Sequence, residues 1–122
     1  MTTEVALGPS SRSSGDLQDA CDELWEDLKG DKKAQATLAM KLEVAPDRLE
    51  INGPSPAKFE DEAAGIDLVT GGVALILMRY YVAPLAKDIS LDIWRHFFLP
   101  RLKTRFGDDA VGDEQQVKKN DE

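Results

Sequence analysis

The sequence is poor in the residues that most often build catalytic or metal sites. Among its 122 residues there is one cysteine, Cys21, and one histidine, His96. A single cysteine excludes an intrachain disulfide and a metal site built from paired cysteines. The sequence also contains no glycine-rich phosphate loop and no repeat of fixed period. We therefore expect no enzyme, no catalytic residue, no metal site, no cofactor and no small-molecule ligand.

Positive charge is scarce as well, with 15 Lys and Arg residues against 23 Asp and Glu residues and a net charge of -8. A phosphate backbone needs a positive surface, so nucleic acid is not expected as a partner. The bases are unevenly placed, because residues 66–106 carry a net +3 while the flanking regions are acidic. This basic and apolar region suits an acidic partner or an anionic membrane surface.

The ends of the chain lack long apolar runs. The first residues contain no positively charged segment followed by an apolar stretch, which argues against a secretory leader. Residues 1–14 are rich in Ser, Gly and Pro, and residues 108–122 are polar and acidic, so both are predicted to be disordered tails. A single domain is expected over residues 15–107. With one cysteine, the expected location is cytoplasmic.

Three segments show apolar residues at helical spacing. The first begins near Ser14 or Asp16 and ends before Gly30, and the second begins after Asp31. The third lies over residues 88–107, where Pro100 is expected to kink or restart the helix. The apolar faces are Leu17, Cys21, Leu24 and Leu28 in the first, Ala34, Leu38 and Leu42 in the second, and Leu91, Trp94, Phe98, Leu102 and Phe106 in the third.

Residues 68–86 form the longest apolar stretch, and Arg79 is its only charge. As a helix it would be about 28 Å long, close to the thickness of a bilayer core. Its Leu, Ile and Val residues favour insertion by about 2.4 to 4.8 kcal/mol, and Arg79 opposes it by about 2.5 to 3.5 kcal/mol. A buried helix is therefore favoured over a membrane span. One buried strand is the alternative, but no convincing partner strand is visible.

These patterns together predict an all-α fold. We expect a small helical bundle of about four helices around the hydrophobic central helix, with disordered N- and C-terminal tails.

The third helix interleaves aromatic and basic residues, a composition typical of surfaces that engage another molecule. The predicted partner-binding residues are Trp94, Phe98, Arg101 and Arg105. We therefore expect a non-enzymatic protein–protein interaction module, an adaptor or accessory subunit whose partner is another protein. The first alternative is a membrane-associated protein that inserts or docks residues 68–106 on an anionic bilayer, which would make it peripheral to a membrane.

A second alternative comes from residues 35–51. Leu38, Ala39, Leu42 and Val44 stand at positions that resemble the first helix and turn of the helix-turn-helix family. The resemblance implies a second, DNA-reading helix and hence a nucleic-acid binder. Glu43 stands where that family usually has Gly, and the surrounding charge is acidic rather than basic.

Overall fold

The protein has a mixed α/β fold in the computed structural model, which describes residues 2–63, 65–82 and 87–120. The strands are Thr2–Leu7 (β1), Ala57–Glu60 (β2), Val73–Met78 (β3), Tyr81–Val82 (β4), Lys87–Asp88 (β5) and Glu114–Asn120 (β6). The helices are Ser14–Lys29 (α1), Lys32–Leu42 (α2), Ser90–Ile93 (α3) and Leu99–Phe106 (α4), with a 3-10 turn at Pro46–Arg48. A π-helical segment, Trp94–Phe98, joins α3 to α4, so residues 90–106 form one continuous C-terminal helix.

The main sheet has four strands in the order β2-β3-β1-β6, and every neighbouring pair is antiparallel. Helices α1 and α2 connect β1 to β2, and the C-terminal helix connects β3 to β6. Reduced to this sheet, the connectivity is β-α-β-β-α-β, the split βαβ arrangement. Strands β4 and β5 pair separately as a small two-stranded sheet.

Alternate strand residues form the layer that faces the helices. On β1 and β3 these are Thr3, Val5, Leu7, Val73, Leu75 and Leu77, and on β2 they are Ala57 and Phe59; all are buried. Apart from Thr3, they join one core with the apolar faces of α1, α2 and the C-terminal helix. The period of two along each strand therefore sets which face of the sheet the helices cover.

The prediction of an all-α bundle around a central helix is wrong. Residues 73–78 form β3, an inner strand of the sheet, instead of part of a helix over residues 68–86. Residues 83–86 of that segment lie outside the described residues. A continuous apolar run has no period, so the run itself does not distinguish a buried strand from a buried helix. The preference for a helix came from the missing partner strands.

Both segments predicted to be disordered tails form strands of the main sheet, which is the second correction. Of the two strands that pair with β3, β1 comes from one of these segments and β2 is Ala57–Glu60. Strand β1 comes from residues 1–14 and pairs with β3 from Thr2↔Met78 to Leu7↔Val73. Strand β6 comes from residues 108–122 and pairs with the other side of β1. Within the described ranges, no helix is both long enough and apolar enough to cross a membrane.

Local signals place the helix ends. The Ser13 side chain accepts a hydrogen bond from the amide of Asp16 at the start of α1, and Asp31 does the same for Ala34 at the start of α2. Such caps satisfy amide groups that have no partner inside the helix. The amide of Gly30 closes α1 on the carbonyl oxygens of Asp27 and Leu28.

The π-helical segment lies directly before Pro100. Leu99 donates its amide hydrogen to Trp94 O, five residues back, and α4 begins there. Because Pro100 has no amide hydrogen, the usual bond to His96 O cannot form and a wider turn is accommodated at this point. Arg101 Nη1 donates to Phe97 O at 3.3 Å, which gives one carbonyl of the segment a side-chain partner.

The turn that resembles a helix-turn-helix is not followed by a second α-helix. Helix α2 ends with Glu43 in the left-handed conformation (φ 58°, ψ 40°), and the amide of Val44 reaches back to Ala39 O at 3.0 Å. Glycine is usual at such a position. The next element is the three-residue 3-10 turn Pro46–Arg48.

Candidate functional site: the two edges of the sheet

Two of the predicted partner-binding residues, Trp94 and Phe98, lie in the core with no exposed area. The Trp94 ring packs edge-on against Phe59 of β2 at 5.8 Å between centroids. The Phe98 ring stacks on Trp25 of α1 at 5.9 Å. These rings hold the C-terminal helix against the sheet and against α1, so they reach a partner only if the core opens.

The other two, Arg101 and Arg105, lie at the surface and also contact their own chain. The Arg101 guanidinium stands 4.4 Å above the centre of the Phe97 ring, within the range of a cation–π contact. Arg105 Nη2 forms an ion pair with Glu23 of α1 at 2.9 Å. The structure therefore divides the predicted set into two core rings and two surface cations, and their role in partner binding stays a prediction.

The single cysteine and the single histidine, the side chains best suited to catalysis, do not lie together in a catalytic site. Cys21 is fully buried on α1, and its burial raises the pKa of the thiol above its ordinary value. A buried, protonated thiol is a poor nucleophile. His96 is exposed on the π-helical segment. Across the described ranges, no three His, Cys, Asp or Glu side chains are grouped so that they could hold a metal.

A groove of about 630 Å³ lies between the loop of residues 50–56 and the end of β3. Two aromatic side chains hold this loop: Trp25 Nε1 donates to Gly53 O at 3.0 Å, and the Tyr80 hydroxyl donates to Glu50 O. Burial and the nearby Glu50 charge raise the pKa of Tyr80 to about 12. These polar groups of the groove are therefore already used to hold the loop.

The β2 edge of the sheet is closed by one side chain. Gln18 Nε2 of α1 donates to Ala57 O at 3.1 Å, and Gln18 Oε1 accepts from the amide of Phe59 at 2.8 Å. Both are backbone groups that point away from β3, so the Gln18 amide imitates a neighbouring strand. An edge with unpaired backbone groups is a template for another strand, and Gln18 removes that template from β2.

The β6 edge has no such cover. Its backbone from residue 115 to residue 119 forms, in the part of the chain that the structure describes, no hydrogen bond besides its ladder with β1. Residues 115–119 are all exposed, including Val117 at 39%. Lys118 and Lys119, near the end of the strand, are two cations in a chain that is acidic overall. One edge of the sheet is thus sealed and the other is open.

The beginning of β6 is firmly attached to the rest of the fold. Arg95 donates to both carboxylate oxygens of Glu114, at 3.0 and 2.7 Å, and this bond raises the pKa of Arg95 above its ordinary value. The amide of Gly8 donates to Asp113 O at 2.8 Å. Gly112 packs so closely that a Cβ there would lie 2.3 Å from the carbonyl carbon of Gly8. The open edge is therefore presented by a well-supported strand.

Sequence reasoning missed both edge features. Strand β6 has a single apolar residue, Val117, among polar ones, so it carries little of the alternation that identifies a half-buried strand. Strand β1 carried a usable signal, because Thr2, Thr3 and Val5 are β-branched residues that favour strands. The role of Gln18 depends on a residue 41 positions away and has no local signal.

No protein-family model, no curated protein and no solved structure matches the chain. Its function must therefore be argued from its own geometry. The split βαβ connectivity carries no function by itself, since such arrangements support many activities. The feature that distinguishes this chain is the contrast between the edge sealed by Gln18 and the open edge of β6.

Proposed function

We propose that the protein is a non-enzymatic protein–protein interaction module that binds another protein by adding a strand to the β6 edge. The observation that carries this proposal is the open edge over residues 115–119, opposite an edge that Gln18 seals. Strand addition is a common mode of recognition, in which main-chain hydrogen bonds supply affinity. An edge that is left open on a fold that closes its other edge suits this mode.

The side chains of β6 would supply the specificity. Successive residues of a strand point to opposite faces, so Lys118 lies on the outer face of the sheet and Lys119 on the helix face. Carboxylates on an added strand would meet both lysines, since opposite charges on facing strands attract. Val117 lies on the helix face and would offer an apolar contact to the added strand.

The aromatic-basic C-terminal helix would act through β6 in this proposal. Arg95, on the π-helical segment, donates two hydrogen bonds to Glu114 and so fixes the start of the strand. Arg101 and Arg105 lie on the same helix, where Arg105 pairs with Glu23, and would supply further contacts to an acidic partner. A cytoplasmic location is part of the proposal and depends on the single, buried cysteine.

Backbone amide exchange on a purified complex tests the mode of binding. A partner is first isolated with the full chain, and the pair is reconstituted from purified components. Outward-pointing amides within residues 115–119, which exchange freely in the isolated chain, are expected to become protected in the complex. Side-chain contact alone would leave these amides exchanging.

A matched pair of variants separates the edge from the rest of the surface. Val117→Lys removes the one apolar side chain of β6 from the proposed interface and is expected to weaken binding. Met40→Lys makes the same change at a residue that is 78% exposed on α2, and it is expected to leave binding intact. A purified complex that protects other amides but not those of β6, or that survives Val117→Lys unchanged, would contradict strand addition at this edge.

A further inference from the structure

We infer that the strand added to the β6 edge is β6 of a second copy of this chain, antiparallel to the first and with Val117 opposite itself. This inference rests on the proposed function, since it names the occupant of the same edge. Its result would be a continuous sheet of two four-stranded halves.

The charge pattern of β6 is self-complementary in the antiparallel direction. Over residues 113–119 the acids Asp113 and Glu114 come first and the bases Lys118 and Lys119 come last; Asn120 and two further acids follow. Antiparallel pairing brings Lys119 of one copy near Glu114 of the other, at both ends of the interface. Parallel pairing would place like charges together, which is unfavourable on neighbouring strands.

The antiparallel geometry limits the registers to those in which one residue lies opposite itself. The same alternate residues point toward the partner on both copies, so paired residues must belong to the same alternate set. A register centred on Lys118 places this cation opposite its own copy and is disfavoured. A register centred on Val117 instead pairs valine with valine and sets Lys118 opposite Gln116.

A register centred on Gln116 sets Val117 opposite Gln115 and gains no ion pair, because of the faces of the side chains. It would pair Glu114 with Lys118. The register of β6 against β1 shifts between Ala6 and Leu7, and Glu114 therefore lies opposite Leu7, on the helix face with Arg95. Lys118 lies opposite Glu4 on the outer face, where its Nζ donates to Gly65 O. These two charges point to opposite sides of the sheet and cannot form a pair.

In the register centred on Val117, the side chains that meet on the helix face are compatible with one another. Val117 and Lys119 lie opposite Val5 and Thr3, two residues of the buried helix-facing layer. Lys119 of one copy then approaches the Glu114 end of the other copy on the same face. Val117, one of the large apolar residues exposed in the described chain, is covered by its own copy.

One strand on each side makes a small interface, and small interfaces are typical of transient complexes. We therefore expect a dimer that depends on concentration. Sedimentation of the full chain over a loading series that reaches about 1 mM should show a monomer–dimer equilibrium. Val117→Lys should remove the dimer, because it places two cations opposite each other at the twofold axis. Met40→Lys should dimerise like the unchanged chain.

A second variant keeps the test informative if Val117→Lys is poorly folded. Lys119→Glu leaves the central valine in place and sets a carboxylate against the Glu114 end of the other copy. It should reduce the dimer fraction at every loading concentration, with the melting curve of the monomer unchanged.

Disulfide cross-linking tests the register itself. Residues directly opposite on antiparallel strands have Cα atoms about 4.5 to 5.5 Å apart, within the range that a disulfide bridges. Val117→Cys should therefore give a covalent dimer with oxidised glutathione. In the same register two copies of Lys119→Cys stand more than about 13 Å apart and should not cross-link. Cys21 is buried and does not compete.

The possible failures are distinguishable. A chain that stays monomeric over the whole series overturns the second copy as occupant, while protection of β6 amides by another protein would still support strand addition. A dimer that persists in Val117→Lys overturns β6 as its interface. A dimer that cross-links through Lys119→Cys and not through Val117→Cys overturns the register.

Discussion

Gln18 seals the β2 edge, and its removal should destabilise the fold measurably. Gln18→Ala deletes two hydrogen bonds to backbone groups, Ala57 O at 3.1 Å and the Phe59 amide at 2.8 Å. A hydrogen bond of this kind contributes about 0.5 to 1.5 kcal/mol net, so the expected loss is about 1 to 3 kcal/mol. Because the edge is only half-buried, water replaces part of the lost contact, and we expect a value near the lower end. Alanine is the better helix former, so helix propensity works against this loss.

The assay is equilibrium denaturation combined with amide exchange. A loss of about 1 to 2 kcal/mol should lower the melting temperature by about 3 to 8 °C in a domain of this size. The amide of Phe59 should exchange faster, because Gln18 is its acceptor. Gln18→Glu keeps that acceptor but loses the donor to Ala57 O, so it should restore the protection of Phe59 and remain destabilised. Gln116→Ala, at an exposed position on β6, should change neither quantity.

The result that would refute this reasoning is specific. A Gln18→Ala chain within about 0.3 kcal/mol of the unchanged protein, with the Phe59 amide equally protected, would show that the side chain does not close the edge. The contrast between β2 and β6, on which the proposed function depends, would then lose its basis.

Three further outcomes are expected. Trp94→Ala should destabilise the fold by about 3 to 5 kcal/mol in urea denaturation, because a fully buried ring leaves a cavity; a loss under 1 kcal/mol would contradict its place in the core. Glu43→Gly should stabilise the protein by about 0.5 to 1 kcal/mol in the same assay, because glycine adopts the left-handed conformation without the steric strain of a Cβ atom. Glu43→Ala keeps the Cβ and should give no gain. The pKa of Tyr80, ordinarily 10.0, is raised to about 12 in the fold, so the unfolded chain loses this proton first and stability should fall as the pH rises from about 10 to about 12. Tyr80→Phe should be less stable at neutral pH and show a smaller fall over that range; an identical pH dependence would contradict the shift.

The helices were accessible to sequence reasoning because their signals are local. The apolar spacing of Leu17, Cys21 and Leu28 on α1, and the side-chain cap at Asp31 of α2, involve residues within a few turns of each other. Pro100 similarly predicts an irregular helix, because it has no amide hydrogen. These features depend on backbone chemistry that operates over three to five residues.

The candidate site was much less accessible. The stripe of Trp94 and Phe98 was visible from its spacing, but spacing identifies a face without showing whether that face meets the core or a partner. Packing decides this, and here Phe59 and Trp25 cover the stripe. Strand β6 was missed because an edge strand with polar residues on both faces resembles a solvated tail.

The sequence by itself determined the positions of α1, α2 and the C-terminal helix, the acidic balance of the chain and the place where the C-terminal helix changes its winding. Only the tertiary structure decided that residues 73–78 form a strand, because that choice depends on pairing with β1, from the beginning of the chain, and with β2, about 15 residues upstream. It also decided which edge is open, since Gln18 closes β2 across 41 positions of sequence. Strand pairing and edge closure are contacts between distant residues, and their free energy is present only when the chain has folded.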